Sequence, residues 1–257
     1  MARGRGATID LVIPVPLSDD RWVLEEDDMP ETPLHELIIG LLVDVLRTWI
    51  ARTERDAMAG SNIALRWNRA KPSVGVDPDV YLVEPAPPLR EREKSLCLWK
   101  KGHHAPRVAV EVVSEGTADK DYSDGPSRYA AATVRELWTF DPLRLGPAEI
   151  VATLQVWRRV AAGRFERVYV GEGPAFSREL GAWLVVTDDG LRLRIADDAA
   201  GRRRWPTAAE VERAAHEVER AAHEVERAAR IAAEAELERL RATLAANTPR
   251  PRRPRGA

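Results

Sequence analysis

The sequence has little cysteine and no long hydrophobic run, and each shortage removes a class of protein. Its one cysteine, Cys97, excludes an internal disulfide framework. The apolar stretch at residues 9–17 is short and is interrupted by Pro14 and Pro16, so neither a signal peptide nor a membrane span is predicted. We therefore expect a cytoplasmic protein that does not associate with membranes.

The charge balance is not that of a generally basic nucleic-acid-binding protein. The net charge is −2 at pH 7, with 39 Lys and Arg against 41 Asp and Glu. DNA would have to bind through a local basic face, with an affinity that depends strongly on salt. Because 44% of the 257 residues are hydrophobic, the chain can bury one full core and still carry a smaller appendage.

Two acidic residues on apolar segments give the strongest indication of function. Glu111 lies within the apolar run VAVEVVS, and Asp79 follows Pro78 in VGVDPDVYLV. A carboxylate among valines is costly to desolvate unless it binds a cation. Two carboxylates on neighbouring strands are a typical Mg²⁺ site, in which the ion keeps several waters for its substrate. The pair therefore predicts phosphate chemistry.

Several motifs occur in an order that resembles a known nuclease family. They are PDV at residues 78–80, VAVEVVS at 108–114, Asp121, Tyr129, and ELWTFDP at 136–142. Over roughly residues 30–205 the chain resembles the Uma-type restriction endonuclease family, a bacterial branch of the PD-(D/E)XK nuclease superfamily. The resemblance implies a restriction-endonuclease-like core, in which a mixed sheet is flanked by helices in an α/β or α+β fold.

The same resemblance implies the residues of the site. Asp79 and Glu111 would bind Mg²⁺, or Mn²⁺ in its place, and the backbone carbonyl of Val112 would add a ligand. DNA would be the substrate, and a water molecule would attack the scissile phosphate. His35 and Glu36 lie where related nucleases place a further acid. They are more simply explained as a polar surface side chain and a carboxylate that favourably meets the helix dipole.

The lysine that this family carries on the following helix is missing. With Asp121 and Tyr129 as anchors, its position falls on Gly125, which is followed by Pro126. Such a cation would stabilise the charge that develops on the phosphate. Lys120, on the same connection, is the candidate substitute, and a solvated loop lysine is the equal alternative.

Two functions of different classes follow from these motifs. The first is a metal-dependent endonuclease that hydrolyses DNA phosphodiester bonds, with Asp79, Glu111 and Lys120 as catalytic residues. The alternative is a catalytically degenerate nuclease-fold protein that binds DNA or self-associates, because the fold alone does not determine the function.

Local patterns predict most of the secondary structure of the core. Thr32 is a good N-cap for a helix with Pro33 at its first position, and apolar residues recur at helical spacing from Leu34 to Ile50. A second helix is predicted at residues 127–133. The predicted strands are residues 62–67, 74–83, 107–114, 136–140, 154–160 and 165–170.

The chain changes character after residue 205. The capping box Thr207-Ala-Ala-Glu210 begins a new helix, in which Val211, Val218 and Val225 repeat every seven residues. This spacing favours a coiled coil and homo-oligomerisation, with a solvated single helix as the alternative. We expect an N-terminal arm at 1–30, a nuclease-like domain at 31–205, a helical extension at 206–247, and a disordered basic tail at 248–257.

Overall fold

The computed structural model describes residues 11–14, 32–116, 118–147, 152–161 and 164–247. The chain divides into two compact units, residues 1–208 and residues 209–257. Of the expected N-terminal arm only residues 11–14 are described, and they form a strand of the main sheet. The expected basic tail lies outside the described residues.

Within the described residues the first unit contains thirteen strands, three α-helices and two 3₁₀ turns. The helices are α1 (Pro33–Arg52), α2 (Ala118–Ser123) and α3 (Gly125–Ala131), and the turns are Arg90–Arg92 and Asp188–Gly190. The strands are β1 (Leu11–Pro14), β2 (Met58–Gly60), β3 (Ala64–Arg66), β4 (Gly75–Val76), β5 (Val80–Val83), β6 (Ser95–Cys97), β7 (Val108–Val112), β8 (Glu136–Phe140), β9 (Leu154–Ala161), β10 (Arg164–Gly171), β11 (Ala175–Ser177), β12 (Ala182–Thr187) and β13 (Arg192–Ala196).

A seven-stranded mixed sheet with the order β1-β10-β9-β8-β7-β5-β2 forms the centre of the first unit. β7 and β8 are parallel, and the other neighbours in this sheet are antiparallel. A parallel pair needs a crossover, and α2 and α3 supply it between β7 and β8. At one edge, β1 pairs with β10 so that Leu11 lies opposite Arg167. The predicted mixed α/β class is confirmed.

The central strands of the main sheet are buried on both faces. Val108, Val110 and Val112 point to the face that α1 covers, where Leu42 and Leu46 are fully buried. Because side chains alternate along a strand, Ala109 and Glu111 point to the opposite face, which α3 covers. Two three-stranded sheets, β11-β12-β13 and β4-β3-β6, complete the unit.

The predicted helix and strand positions are largely confirmed. Thr32 is the N-cap of α1, and its hydroxyl accepts a hydrogen bond from the backbone N–H of His35 at 3.3 Å. The strand predicted at residues 74–83 splits into β4 and β5, because Asp77-Pro78-Asp79 interrupts it. α3 begins two residues earlier than predicted, and the helix α2 and the strands β1, β2, β6 and β11–β13 were not predicted.

A 40-residue helix, α4 (Ala208–Asn247), accounts for the described part of the second unit. Its heptad valines face solvent, and Val218 and Val225 are both 71% exposed. Ile231, Leu237 and Leu240 are also exposed. Among the described residues, no helix is both long and apolar enough to cross a membrane.

Candidate active site

The register between β5 and β7 brings the two predicted acids together. Val80 lies opposite Val110, so continuing the antiparallel register by one residue sets Asp79 opposite Glu111. The backbone N–H of Val112 donates to Asp79 Oδ2 at 2.7 Å. Asp79 is thereby fixed beside the strand that carries Glu111.

Glu111 has a tyrosine as its hydrogen-bond partner. The Tyr129 hydroxyl donates to Glu111 Oε1. Glu111 is only half-buried, yet the surrounding protein desolvates its carboxylate and raises its pKa well above the ordinary value. The negative charges of Asp79 and Asp121 add to this rise, and Tyr129 and Lys120 oppose it. The site therefore concentrates negative charge with little compensation.

His35 belongs to this site, so its interpretation as polar surface is wrong. It is only 7% exposed, and its Nε2 lies 2.8 Å from the carbonyl oxygen of Val112 and 3.2 Å from Asp79 Oδ2. Both neighbours are acceptors, so Nε2 carries the proton and donates. The sequence places His35 in the first turn of α1, but nothing local shows that this turn packs against the acids.

Lys120 lies on α2 with an exposed side chain. Within the described part of the chain, neither a hydrogen bond nor an ion pair joins it to Asp79 or Glu111, although its charge lowers the pKa of Glu111. Gly125, at the family lysine position, begins α3. A Cβ atom there would lie 3.5 Å from the carbonyl oxygen of Lys120, which is an ordinary contact, so the position has room for a side chain.

Two further acids of the motifs, Asp121 and Asp141, have different surroundings. Asp121 is buried, and its charge acts on Glu111. Asp141, in ELWTFDP, instead accepts hydrogen bonds from the Tyr122 hydroxyl at 2.8 Å and from the backbone N–H of Gly146 at 2.9 Å. Asp141 therefore holds a loop together.

The donor set fits a hard divalent cation. Asp79, Glu111 and the Val112 carbonyl offer oxygen ligands on two paired strands, and the desolvated Glu111 lacks a bonded cation among the described residues. No group of three or more His, Cys, Asp or Glu side chains placed to hold a metal occurs in the part of the chain that the structure describes. A bound ion would therefore depend on waters or substrate for its other ligands.

The fold and the paired acids define an α/β protein of the nuclease-like kind that the motif order indicates. The family described as "Uma2: Putative restriction endonuclease" matches residues 23–187. This match covers more than half of the chain, so the chain belongs to the Uma2 family and the predicted resemblance is confirmed.

One similar solved structure is a crystal structure of a "putative nuclease belonging to DUF820" from Anabaena variabilis ATCC 29413. It is 15% identical in sequence, with a TM-score of 0.41, and the similarity covers 60% of this chain and 76% of that one. A comparison with curated proteins found no match.

Proposed function

We propose that the protein is a metal-dependent endonuclease that hydrolyses phosphodiester bonds of DNA. The observation that carries the proposal is the strand register that sets Asp79 opposite Glu111 in a desolvated, negatively charged site. A carboxylate pair of this kind is costly to bury unless it binds a cation, and phosphodiester hydrolysis is a reaction that such cations promote. Membership of the Uma2 family supports the same reaction.

The residues of the site have separate roles in this proposal. Asp79 and Glu111 hold Mg²⁺ or Mn²⁺, and the Val112 carbonyl contributes an oxygen. A hard divalent cation supplies Lewis acidity toward a phosphoryl oxygen when it is bound there. The exposed Lys120 supplies positive charge toward the phosphate.

Two further residues position these groups. The imidazole Nε2–H of His35 bridges Asp79 Oδ2 and the Val112 carbonyl oxygen, so it fixes both relative to α1. The hydroxyl of Tyr129 fixes the Glu111 carboxylate from α3. Both interactions place the acids before a ligand arrives, which reduces the ordering cost of binding.

The test is cleavage of plasmid and single-stranded DNA with Mg²⁺ or Mn²⁺, beside metal binding measured by calorimetry. We expect Asp79→Ala and Glu111→Ala to lose metal binding and at least about a hundredfold in cleavage rate. Lys120→Ala is expected to bind metal normally and to cleave more slowly. Glu115→Ala is the matched control, because Glu115 is an exposed acid four residues after Glu111.

Three outcomes would count against the proposal. The unmutated protein could fail to cleave either substrate and fail to bind either metal. The acid variants could retain metal binding. Glu115→Ala could lose as much activity as Glu111→Ala, which would point to a general effect of surface charge.

The second candidate function is a degenerate nuclease fold that binds DNA or self-associates. Gly125 at the lysine position favours it, and so do the exposed heptad valines of α4. Sedimentation of the full chain tests self-association, and Val218→Glu with Val225→Glu should yield monomers if the valines form the seam. His216→Glu with His223→Glu is the control, because these residues have the same spacing on another side of the helix.

A further inference from the structure

A row of polar side chains crosses the main sheet from the acid pair. Glu111 on β7 pairs with Thr139 on β8, and Thr139 pairs with Gln155 on β9. From β10, Arg167 Nη1 donates to Gln155 Oε1 at 3.0 Å. Neighbouring strands are about 4.8 Å apart, so the row covers about 10 Å between Glu111 and Gln155. It links the acid pair to Arg167 on one face of the sheet.

Arg167 is buried, and no acidic side chain in the part of the chain that the structure describes pairs with it. It is 5% exposed, and its guanidinium carbon lies 5.5 Å from the ring centroid of Trp157. Gln155 is its hydrogen-bond partner, and its buried Nε has none among the described residues. Burial lowers the pKa of Arg167. A buried guanidinium without a counter-ion is costly, which indicates that an anion completes the arrangement.

Neighbouring arginines of the sheet do not share this property. Arg158 is paired with Glu136 at 3.1 Å, and it also donates to the carbonyl oxygen of Phe176. Arg159 donates to the carbonyl oxygens of Val134 and Ala130. Both guanidinium groups therefore have structural acceptors. Among the described residues, Arg167 differs because the Gln155 side chain is its single hydrogen-bond acceptor and its Nε has none.

A small cavity adjoins this guanidinium. Its volume is about 100 Å³, and its lining includes Arg167, Gln155, Thr139, Tyr122, Ser123 and Asp121. About 10–15 Å³ suffices for one water molecule, so the cavity has room for a phosphate group and hydrating waters. Arg167 supplies positive charge, and hydroxyls and an amide supply further hydrogen bonds. Asp121, whose charge acts on Glu111, places the cavity next to the acid pair.

We propose that this cavity is a phosphate-binding subsite in which Arg167 is the principal contact. Its ligand is a phosphate group of a nucleic acid, and a free or terminal phosphate has the same chemistry. The choice of nucleic acid rests on the proposed nuclease function, but the anion site itself does not. The subsite would hold substrate beside the acids in a chain whose family lysine position is glycine.

The test is thermal unfolding with inorganic phosphate, compared with chloride at the same ionic strength and without divalent metal. For the unmutated protein we expect Tm to rise by about 3–5 °C at roughly tenfold the Kd. Arg167→Met should lose this shift. Arg164→Met should keep it, because Arg164 is an exposed arginine on the same strand, paired with Glu166.

A purely structural role for Arg167 gives a different result. Arg167→Met would then unfold at a lower temperature than the unmutated protein, and both would respond equally to phosphate. If Arg167→Met fails to fold, Thr139→Val decides the matter, because it keeps the side-chain shape and removes a hydroxyl from the cavity. The subsite predicts phosphate binding about three- to tenfold weaker in Thr139→Val, and an unchanged affinity would overturn it.

A second arm distinguishes the sources of the phosphate. A dinucleotide without terminal phosphates that gives an Arg167-dependent shift would support a backbone phosphodiester as the ligand. A shift with inorganic phosphate alone would support a free or terminal phosphate, and no shift with either would overturn the subsite. Cleavage without an Arg167-dependent shift would leave the nuclease proposal standing and remove the subsite. An Arg167-dependent shift without cleavage or metal binding would support the subsite and count against the nuclease proposal.

Discussion

Glu111 and Glu136 lie on adjacent parallel strands, and their surroundings differ sharply. Glu136 is fully buried, and its carboxylate accepts hydrogen bonds from Trp138 Nε1 at 2.8 Å, Arg158 Nε at 3.1 Å and the backbone N–H of Arg178 at 3.0 Å. The negative charge of Glu136 is therefore balanced by Arg158, and both of its carboxylate oxygens accept hydrogen bonds. These contacts tie β8 to β9 and to the segment after β11.

Glu111 has the Tyr129 hydroxyl, while the charges of Asp79 and Asp121 oppose its own. Both glutamates lie on central strands of the main sheet, so their position on a strand does not determine their roles. The partners do. Glu136 is bonded to a cation that would be left uncompensated without it, whereas Glu111 is surrounded by like charge, which is typical of a ligand-binding site.

The largest expected effect on stability comes from removing the charge of Glu136, which is paired with Arg158. Glu136→Gln removes the charge that compensates Arg158, so we expect a loss of about 3 kcal/mol in the free energy of unfolding. Urea denaturation measures this loss. A loss of about 1 kcal/mol or less, as for an exposed ion pair, would contradict the structural role of Glu136.

The comparison can be reversed by giving the Glu111 site a cation. Gly125→Lys places a lysine at the family position, where a Cβ atom would make an ordinary contact, 3.5 Å from the carbonyl oxygen of Lys120. We expect the cleavage rate to rise by about a hundredfold, because positive charge would then face the phosphate. Gly125→Gln is the control, since it adds a long side chain without charge. An equal gain with glutamine would rule out the charge as the cause.

Removing the charge of Glu111 should cost no stability. Glu111→Gln relieves its desolvation and its repulsion by Asp79 and Asp121. We therefore expect the free energy of unfolding to stay unchanged or to rise by about 1 kcal/mol, while cleavage is lost. The urea midpoint measures the first change and the plasmid assay measures the second. A destabilisation as large as that of Glu136→Gln would mean that the two sites are equivalent.

Glu84 offers an intermediate case with the smallest expected effect. Burial acts to raise its pKa, but hydrogen bonds from Arg55 and Arg107 outweigh burial and hold the pKa below its ordinary value of 4.5. A depressed folded-state pKa gives stability that is present above the unfolded pKa and is lost as the pH falls through the folded value. Glu84→Gln should therefore lose up to about 1 kcal/mol near neutral pH, because Glu84 retains some exposure.

The pH dependence of this loss is the measurement that checks it. Urea midpoints of Glu84→Gln and the unmutated protein should converge as the pH falls below 4.5. A difference that stays constant with pH would show that the ion pairs with Arg55 and Arg107 do not contribute.

The parts of the fold that could be predicted depend on neighbours in sequence. The Thr32-Pro33 helix start and the alternation along Val108–Val112 are local patterns, and the structure confirms both. The acid pair was predictable as a pair because each acid lies in an apolar run. The roles of Asp79, Glu111, Val112 and Lys120 stay predictions until cleavage and metal binding are measured.

The parts that could not be predicted depend on register. His35 meets Asp79 and Val112 because α1 packs against the sheet there, and no local pattern encodes that packing. Arg167 meets Gln155 across an antiparallel pair that contains an irregularity between Arg167 and Tyr169. An alternating pattern in β10 alone does not show which residue of β9 a side chain will meet.

The pairing of β1 with β10 also fixes an order of events during synthesis. β1 is made early, but Leu11 pairs with Arg167, which follows most of the sheet in the sequence. Contacts between such distant residues form late, because a long loop must close first. The segments that carry Asp79, Glu111 and Tyr129 leave the ribosome before β10 does. A nascent chain therefore holds its acids before it holds Arg167, and the edge strand β1 can dock only after β10 has been made.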